Sequence, residues 1–258
     1  METKTYLPTE TDKARAQPNM LKVSGDGVFA TLQGEGVTAG KRTVFLRLHY
    51  CNLACGKLAG WQCDTKYTWD TTDKRYWTEP EDWTDSETAQ KINRAWEEKF
   101  GNDKDKRLVI TGGEPLLQQQ KLPALLRLLP SWDIEIETNG TIIPIKGLHN
   151  CQINCSPKLA NSGNDRNKRY KPEVLKAINS LPNSWFKFVV TKPADLDEVE
   201  KIVNGCDLNS KKVLIMPEGR TAKEVEYHAS LVKKEVENRD WSITLRNQLI
   251  WFGPKRKT

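Results

Sequence analysis

The chain has 258 residues, a net charge of +6, and nine Trp, six Tyr and six Phe. This length fits one or two domains, and the aromatic content disfavours a disordered chain because it offers ample apolar surface to bury. Charged residues reach 29% and no apolar run approaches ~18 residues, so a membrane-spanning helix is excluded and a cytoplasmic protein is expected. The modest charge does not favour a nucleic-acid partner.

The first part of the chain divides into three regions of different composition. Residues 1–19 are polar and aperiodic, which predicts a flexible N-terminal lead-in before a single domain over residues 20–258. Residues 43–48 are apolar and β-branched, which predicts a strand. Residues 64–83 combine Thr, Asp and Trp without helical period, so we predict an inserted loop or a small hairpin there.

From Thr84 onward the pattern alternates between helices and strands. Thr84 and Glu87 form a capping box that begins a helix, and Gly101 ends it. Further strands are predicted at 108–110, 133–137, 152–155, 186–190, 213–216 and 242–245, and helices at 172–179, 195–203 (with Gly205 beyond it) and 222–238. Residues 116–129 are predicted to be mostly helical, with a new turn or helix beginning at Pro123. This alternation predicts an α/β fold: a partial (β/α) barrel of about six parallel strands, with an insertion after Cys63 and active groups at the carboxyl ends of the strands.

Three of the six cysteines lie close together directly after the first predicted strand. Cys51, Cys55 and Cys63 can bring three thiolates to one point. On spacing alone three readings stay open: a 4Fe–4S cluster with one open iron, a zinc site completed by a fourth ligand, or unliganded thiols.

Two other groups of residues are interpreted more plainly. Cys151 and Cys155 repeat the C-x3-C spacing and, with Cys206, are compatible with a second metal site, but we expect them to pack as small apolar side chains. The run of charges over residues 165–171 is typical of a solvated loop.

Seven short motifs follow one another between residues 28 and 251 and carry a resemblance to a known superfamily. The segments CDT (63–65), GGEP (112–115), ETNG (137–140) and SPK (156–158) resemble radical S-adenosylmethionine (SAM) enzymes. The segments QGEG (33–36), FLR (45–47) and CNL (51–53) are similar to those of one family within it, the 7-carboxy-7-deazaguanine synthases. Each motif alone is weakly specific, whereas seven in the right order are strongly so.

The chain departs from that family in two places. Seven residues, 56–62, separate Cys55 from Cys63, where the family commonly has two or three; we expect the insert to bulge out and the ligand set to survive. Near the end, Gln248 stands where relatives often carry a histidine, which puts a histidine contact to substrate in doubt.

The resemblance implies an enzyme that converts 6-carboxy-5,6,7,8-tetrahydropterin to 7-carboxy-7-deazaguanine by radical ring contraction with loss of ammonia. It implies three bound groups and one substrate, assigned as follows: Cys51, Cys55 and Cys63 hold a 4Fe–4S cluster, Gly112, Gly113, Glu114, Ser156 and Lys158 bind SAM, Thr65 binds Mg²⁺, and Gln33, Glu35, Arg47 and Thr111 bind the pterin. An external electron donor and a homodimer are implied as well.

The chemistry of the pterin agrees with those residue types. Arg47 can pair bidentately with its carboxylate. Glu35 can accept hydrogen bonds from the amino edge, and Gln33 can both donate and accept beside it. A plainer reading is that residues 34–36 form only a hairpin turn and that Arg47 points outward.

Two rival functions remain open at this stage. A radical activase acting on a partner protein would share the cluster and the GGEP turn without needing Gln33, Glu35 and Arg47. A zinc-stabilised nucleic-acid-binding module would use the cysteines, the positive charge and the interleaved Trp residues.

Overall fold

The computed structural model describes residues 20–58 and 61–253, apart from the side chain of Asp26. The predicted lead-in, residues 1–19, and the basic residues 255–257 lie outside the described residues. Within the described part, no helix is both long and apolar enough to cross a membrane.

In the described residues, nine strands form one sheet. They are β1 Met20–Leu32, β2 Arg42–Leu48, β3 Glu81–Thr84, β4 Arg107–Gly112, β5 Asp133–Thr138, β6 Gln152–Cys155, β7 Ser184–Val190, β8 Val213–Pro217 and β9 Ser242–Ile243. Their order in the sheet is β3-β1-β2-β4-β5-β6-β7-β8-β9. From β2 to β9 all neighbours are parallel, whereas β1 is antiparallel to both β2 and β3. The predicted α/β class with a largely parallel sheet is confirmed, and β9 is a seventh, two-residue parallel strand.

Helices connect these parallel strands and cover the sheet. The described α-helices are α1 Lys74–Thr78, α2 Asp85–Phe100, α3 Leu122–Arg127, α4 Arg166–Arg169, α5 Pro172–Asn179, α6 Asp195–Cys206, α7 Ala222–Asn238 and α8 Asn247–Phe252. Strand–helix–strand connections of this kind keep the strands parallel, so their carboxyl ends meet at one edge of the sheet.

Helix α2 shows how the local sequence determines an element. The hydroxyl of Thr84 accepts a hydrogen bond from the backbone N–H of Glu87 at 3.2 Å, as the capping pattern predicts. Ile92 and Trp96 are fully buried on the inner face. Gly101, with a φ of 66°, ends the helix in a conformation that favours glycine.

Two sequence-based expectations about elements are wrong, and one strand was not predicted. Residues 64–83 are neither a plain loop nor a hairpin, because they contain a 3₁₀ turn and α1 and lead into β3, which pairs with the distant β1. Helix α6 runs through Gly205 to Cys206 instead of ending before it. Strand β1 was not predicted, since a register shift between Val23 and Val28 interrupts its alternation.

The core lies between the sheet and the helices, and it absorbs the cysteines outside the cluster of three. Cys151, Cys155 and Cys206 are at most 5% exposed and belong to the main hydrophobic core. Their packing agrees with the expectation that they serve as small apolar side chains.

Candidate active site

A cavity of about 490 Å³ lies at the carboxyl ends of the parallel strands. Its wall includes the last residues of β2, β4 and β5 and residues that follow β6 and β9. Every site residue predicted from the sequence lines this cavity except Glu114. The sheet therefore brings together residues that are up to 125 positions apart, between Gln33 and Lys158.

The cysteine loop begins where β2 ends. Tyr50 has a φ of 76°, a left-handed conformation that is uncommon for a residue with a side chain, and Cys51 follows it. Cys51, Cys55 and Cys63 all line the cavity, and none of them forms a disulfide. Gly56, with a φ of 83°, begins the seven-residue insert; a Cβ there would lie 2.4 Å from the carbonyl oxygen of Trp61.

Three free thiols on one cavity wall fit a 4Fe–4S cluster, which three cysteines can hold with one iron left open. Burial raises the pKa of Cys51 and of Cys55, so both thiols must release protons when they bind metal. Within residues 20–58 and 61–253, no three His, Cys, Asp or Glu side chains form a ready-made metal site. That result concerns a single metal ion, whereas in a 4Fe–4S cluster each cysteine binds a different iron.

The paired glycines at the end of β4 are required by close backbone packing. A Cβ on Gly112 would lie 2.0 Å from the carbonyl oxygen of Leu48, and one on Gly113 would lie 2.1 Å from that of Tyr50. Any larger residue would separate β4 from the start of the cysteine loop. Both glycines also line the cavity, where their backbone is open to a ligand.

Glu114 is placed differently from the other predicted residues. Its side chain is fully buried, and its carboxylate accepts hydrogen bonds from the backbone N–H groups of Leu116 and Asn139 and from the hydroxyl of Thr138. Burial raises its pKa. Glu114 thus joins the end of β4 to the end of β5.

Ser156 and Lys158 follow β6 and face the same space. The ammonium of Lys158 donates to the hydroxyl of Ser156 at 2.8 Å, and the backbone N–H of Ser156 donates to the carbonyl oxygen of Thr138 at 2.7 Å. Lys158 contributes a positive charge beside the buried Cys55 thiol.

Glu35 is a mostly buried carboxylate, with 17% of its side chain exposed, and it is surrounded by donors. Lys187 forms a salt bridge with it, Gln248 donates to it at 2.8 Å, and the guanidinium Nε of Arg246 lies 3.5 Å away. Burial alone would raise the pKa of Glu35, but the charges of Lys187 and Arg246 and the hydrogen bonds from Lys187 and Gln248 outweigh it and lower the pKa to about 2. Glu35 is therefore ionised throughout the neutral range.

A second carboxylate, that of Glu137, lies in the same cavity. It accepts from the hydroxyl of Thr111 at 2.7 Å and from the side-chain amide of Gln33 at 3.3 Å. The Gln33 carbonyl oxygen in turn accepts from the backbone N–H of Glu35. Two carboxylates, each held by hydrogen bonds, therefore line the same cavity.

Arg47 is a cation without a carboxylate partner. No ion pair joins it to a carboxylate of the described residues, and its guanidinium lies 5.8 Å from the centre of the Phe29 ring. Its neighbour across the parallel ladder is Thr111. A guanidinium fixed over an aromatic ring in a cavity is suited to bind an anion.

Thr65 lies between the cysteine loop and the end of β4. Its hydroxyl donates to the carbonyl oxygen of Gly112 at 3.3 Å and lies 3.4 Å from the sulfur of Cys63. The adjacent Asp64 binds the guanidinium of Arg246 at 2.9 Å. Arg246 thus connects the cysteine loop with the Glu35 carboxylate.

Curated relatives align with most of this chain in sequence. It is 32% identical to a 7-carboxy-7-deazaguanine synthase of Pyrobaculum aerophilum, over 76% of this chain and 80% of that protein. It is 28% identical to the synthase of the same name from Rhodopirellula baltica, over 95% of this chain and 91% of that protein. The chain belongs to the 7-carboxy-7-deazaguanine synthase family.

Two further comparisons agree with membership of the synthase family. Residues 32–155 match the family model described as a 4Fe-4S single cluster domain, a range that includes all three cavity cysteines. The fold is that of QueE from Escherichia coli, with a TM-score of 0.65, 22% identity, and coverage of 88% of this chain and 93% of that one. The predicted enzyme class is confirmed, and the activase and zinc-module alternatives are not favoured.

Sequence reasoning missed several polar residues of this synthase's cavity. Lys187 and Glu137 lie in predicted strands, and the sequence assigns neither of them to the site, although Glu137 begins the ETNG motif. In the sequence, Gln248 stands out only as a departure from the family pattern. In the structure, its side-chain amide nitrogen donates to Glu35, and its side-chain oxygen is buried without a hydrogen-bond partner among the described residues. The sequence signal that points to Lys187 is that it is the single charged residue of a largely apolar strand.

Proposed function

We propose that this synthase converts 6-carboxy-5,6,7,8-tetrahydropterin to 7-carboxy-7-deazaguanine by radical ring contraction with loss of ammonia. The observation that carries the proposal is the composition of one cavity. It combines three free thiols, an arginine with no carboxylate partner among the described residues, and two oriented carboxylates. The relatives' shared name supports the same reaction.

We assign the 4Fe–4S cluster to Cys51, Cys55 and Cys63, and SAM to the backbone of Gly112 and Gly113 together with Ser156 and Lys158. When bound, the reduced cluster and SAM supply the radical that removes hydrogen from the substrate. The ammonium of Lys158 can pair with an anionic group of the cofactor, and the glycine backbone can approach it closely. Glu114 orients this region by fixing Thr138 and Asn139.

We assign the pterin to the part of the cavity around Arg47, Thr111, Gln33 and Glu35. The guanidinium of Arg47 pairs with the substrate carboxylate, because no protein carboxylate of the described residues competes for it. Glu35, with Gln33 beside it, accepts from the amino edge of the pterin. Glu35 suits this role because it is ionised and fixed before the substrate arrives.

We also propose that Thr65 binds Mg²⁺ together with substrate oxygens. A hydroxyl is a hard oxygen ligand, and Mg²⁺ usually keeps few protein ligands. The Thr65 hydroxyl donates to the Gly112 carbonyl, which leaves lone pairs on its oxygen that can coordinate the ion. Turnover measured with and without a chelator of divalent cations tests this assignment.

The remaining expectations concern the whole protein. We propose one domain from residue 20 onward, since all nine described strands share one sheet. A homodimer and an external electron donor follow from the family resemblance, and a cytoplasmic location follows from the composition; all three are proposals too.

The substitution Arg47→Ala tests the substrate assignment. After anaerobic reconstitution, we expect the variant to lose turnover of the pterin by a factor of roughly 100 or more, because a bidentate charge-assisted pair is removed. Reductive cleavage of SAM should remain measurable. The exposed Arg42, which lies on the same strand, supplies the control variant Arg42→Ala. If pterin turnover survives in Arg47→Ala, Arg47 does not bind the carboxylate.

A further inference from the structure

The segment after Lys158 packs directly on the cysteine loop. The backbone N–H of Gly56 donates to the carbonyl oxygen of Ser162 at 3.0 Å, and that of Ala54 donates to the side-chain oxygen of Asn164 at 2.9 Å. These two bonds lie on either side of Cys55. The position of this cysteine is therefore fixed by a segment more than 100 residues away in the sequence.

Asn164 also contacts the Cys55 sulfur. Its side-chain nitrogen lies 3.3 Å from Sγ of Cys55 and 3.2 Å from the hydroxyl of Ser162. The orientation of the amide is determined by its other end, because the N–H of Ala54 can only donate and must therefore face the Asn164 oxygen. The N–H group of Asn164 consequently points to the sulfur.

A buried arginine holds Asn164 in place. Arg169 is 5% exposed and donates to the backbone carbonyls of Asn164 at 3.2 Å and Lys158 at 2.9 Å. It also pairs with Glu198 of α6 at 2.7 Å, and that carboxylate accepts from the backbone N–H of Ala160. Arg169 belongs to the charged run that was expected to be a solvated loop, and for this residue the expectation is wrong.

Among the described residues, neither of the other two cysteines has a comparable side-chain amide donor, although the backbone N–H of Leu53 hydrogen-bonds to Cys51. The side-chain nitrogen of Asn139 lies 4.0 Å from the sulfur of Cys51 and is engaged with Asn52 at 2.8 Å. The sulfur of Cys63 lies 3.4 Å from the hydroxyl of Thr65, which donates elsewhere. Among the described side chains, Asn164 thus makes the closest amide contact to a cluster cysteine.

We propose that Asn164 is a positioning residue that raises the reduction potential of the cluster through its hydrogen bond to Cys55. The proposal rests on the cluster assignment in the proposed function. Reduction adds negative charge to the cluster and its thiolates, so an N–H donor at a ligand sulfur stabilises the reduced form more than the oxidised one. Arg169 keeps that donor aimed at the sulfur.

The test is a redox titration of the anaerobically reconstituted full chain, with dithionite as reductant and the reduced cluster followed by electron paramagnetic resonance. Asn164→Asp keeps the oxygen that binds Ala54 and removes the donor, and Asn164→Leu removes the donor without adding charge. Asn167→Asp is the matched control, because Asn167 is exposed, lies in the same segment and gains the same charge. Iron and sulfide content and circular dichroism are measured for each protein.

At the wild-type midpoint potential, we expect the ratio of reduced to oxidised cluster to fall roughly tenfold in both Asn164 variants, which corresponds to about 59 mV for one electron. Asn167→Asp should stay within about twofold, since exposed charges are screened. Unchanged midpoints, or a shift in the Asp variant alone, would overturn the proposal.

The remaining outcomes are also decisive. If both Asn164 variants fold normally but take up no cluster while Asn167→Asp does, Asn164 serves assembly and not the potential, and the proposal is wrong. A wild-type protein that takes up no iron and sulfide would contradict the proposed function itself. A wild-type cluster with unshifted variants would contradict only the role of Asn164.

Discussion

At the scale of single residues, Lys187 is the cation that keeps Glu35 ionised. It lies on β7 among apolar neighbours and forms the salt bridge that, with Arg246 and Gln248, lowers the pKa of Glu35 to about 2. In Lys187→Met we expect the pKa of Glu35 to rise and the KM for the pterin to increase roughly tenfold or more, because a buried carboxylate loses its partner. SAM cleavage should be retained.

The KM of Lys187→Met should also depend on pH, in a direction that the pKa of Glu35 determines. In the wild type Glu35 stays charged down to a pH of about 2, so its contribution to binding is constant from pH 5 to 8. In Lys187→Met, KM should rise as the pH falls through the raised pKa. The exposed Lys192 supplies the control Lys192→Met. Equal KM profiles for wild type and Lys187→Met would show that Lys187 does not hold Glu35 ionised.

His49, two residues before the first cavity cysteine, is expected to make the free energy of unfolding depend on pH. It is 1% exposed, and burial, assisted by the charge of Lys22, lowers its pKa from 6.5 to about 4. The unfolded chain therefore takes up this proton first as the pH falls. The free energy of unfolding therefore begins to fall near pH 6.5, and the fall is complete near pH 4. The total loss is at most about 3 kcal/mol.

The substitution His49→Phe should remove that loss while keeping an aromatic ring against Tyr50 and Tyr76. Urea unfolding at pH 7 and pH 4.5 measures it: the difference in unfolding free energy between the two pH values should be smaller in the variant. If the variant and the wild type lose the same amount, His49 is not the titrating group.

At the scale of elements, the turn after β5 is expected to be intolerant of a side chain. Gly140 has a φ of 75°, and a Cβ there would lie 2.7 Å from the Cys155 sulfur and 3.0 Å from Leu175. Gly101 has a similar φ of 66°, with no atom within 4 Å of its Cβ position. Comparing an alanine substitution at each glycine therefore separates the energetic cost of the backbone conformation from the cost of crowding.

We expect Gly101→Ala to lower the free energy of unfolding by about 1 kcal/mol, from the left-handed conformation alone. Gly140→Ala should lower it by roughly 1–3 kcal/mol more, because the core must also move. Denaturant unfolding of both variants checks this, and equal losses would mean that the core around Cys155 accommodates the methyl group.

The elements also show what the sequence could predict. Helices α5 and α7 were predicted with their observed bounds, because Pro172 and the capping Thr221 define their starts. Strand β1 could not be predicted, since Gly25 and Gly27 adopt positive φ in a bulge that interrupts its alternation. Its pairing with β3 depends on tertiary contacts that no local pattern encodes.

The same contrast holds for the cavity. Gln33, Arg47 and the three cysteines could be predicted because they stand in short motifs. Lys187 and Asn164 could not, because their roles arise only when β7 and the segment after β6 are brought to the carboxyl edge of the sheet.

At the scale of the whole molecule, the segment after β9 meets the connection between β1 and β2. The backbone N–H of Asn247 donates to the carbonyl oxygen of Gly34 at 3.0 Å, and that of Gly36 donates to the hydroxyl of Thr244 at 2.8 Å. This contact joins the last parallel strand to the residues that carry Glu35. The cavity therefore depends on the first and last strands of the described chain, which supports treating residue 20 onward as one domain.

The most direct test of the central claim is the product formed by the wild-type protein. The anaerobically reconstituted chain is incubated with 6-carboxy-5,6,7,8-tetrahydropterin, SAM, Mg²⁺ and a reductant, and the mixture is analysed by liquid chromatography and mass spectrometry. We predict 7-carboxy-7-deazaguanine and ammonia in equal amounts. Cleavage of SAM without any deazapurine product would contradict the account.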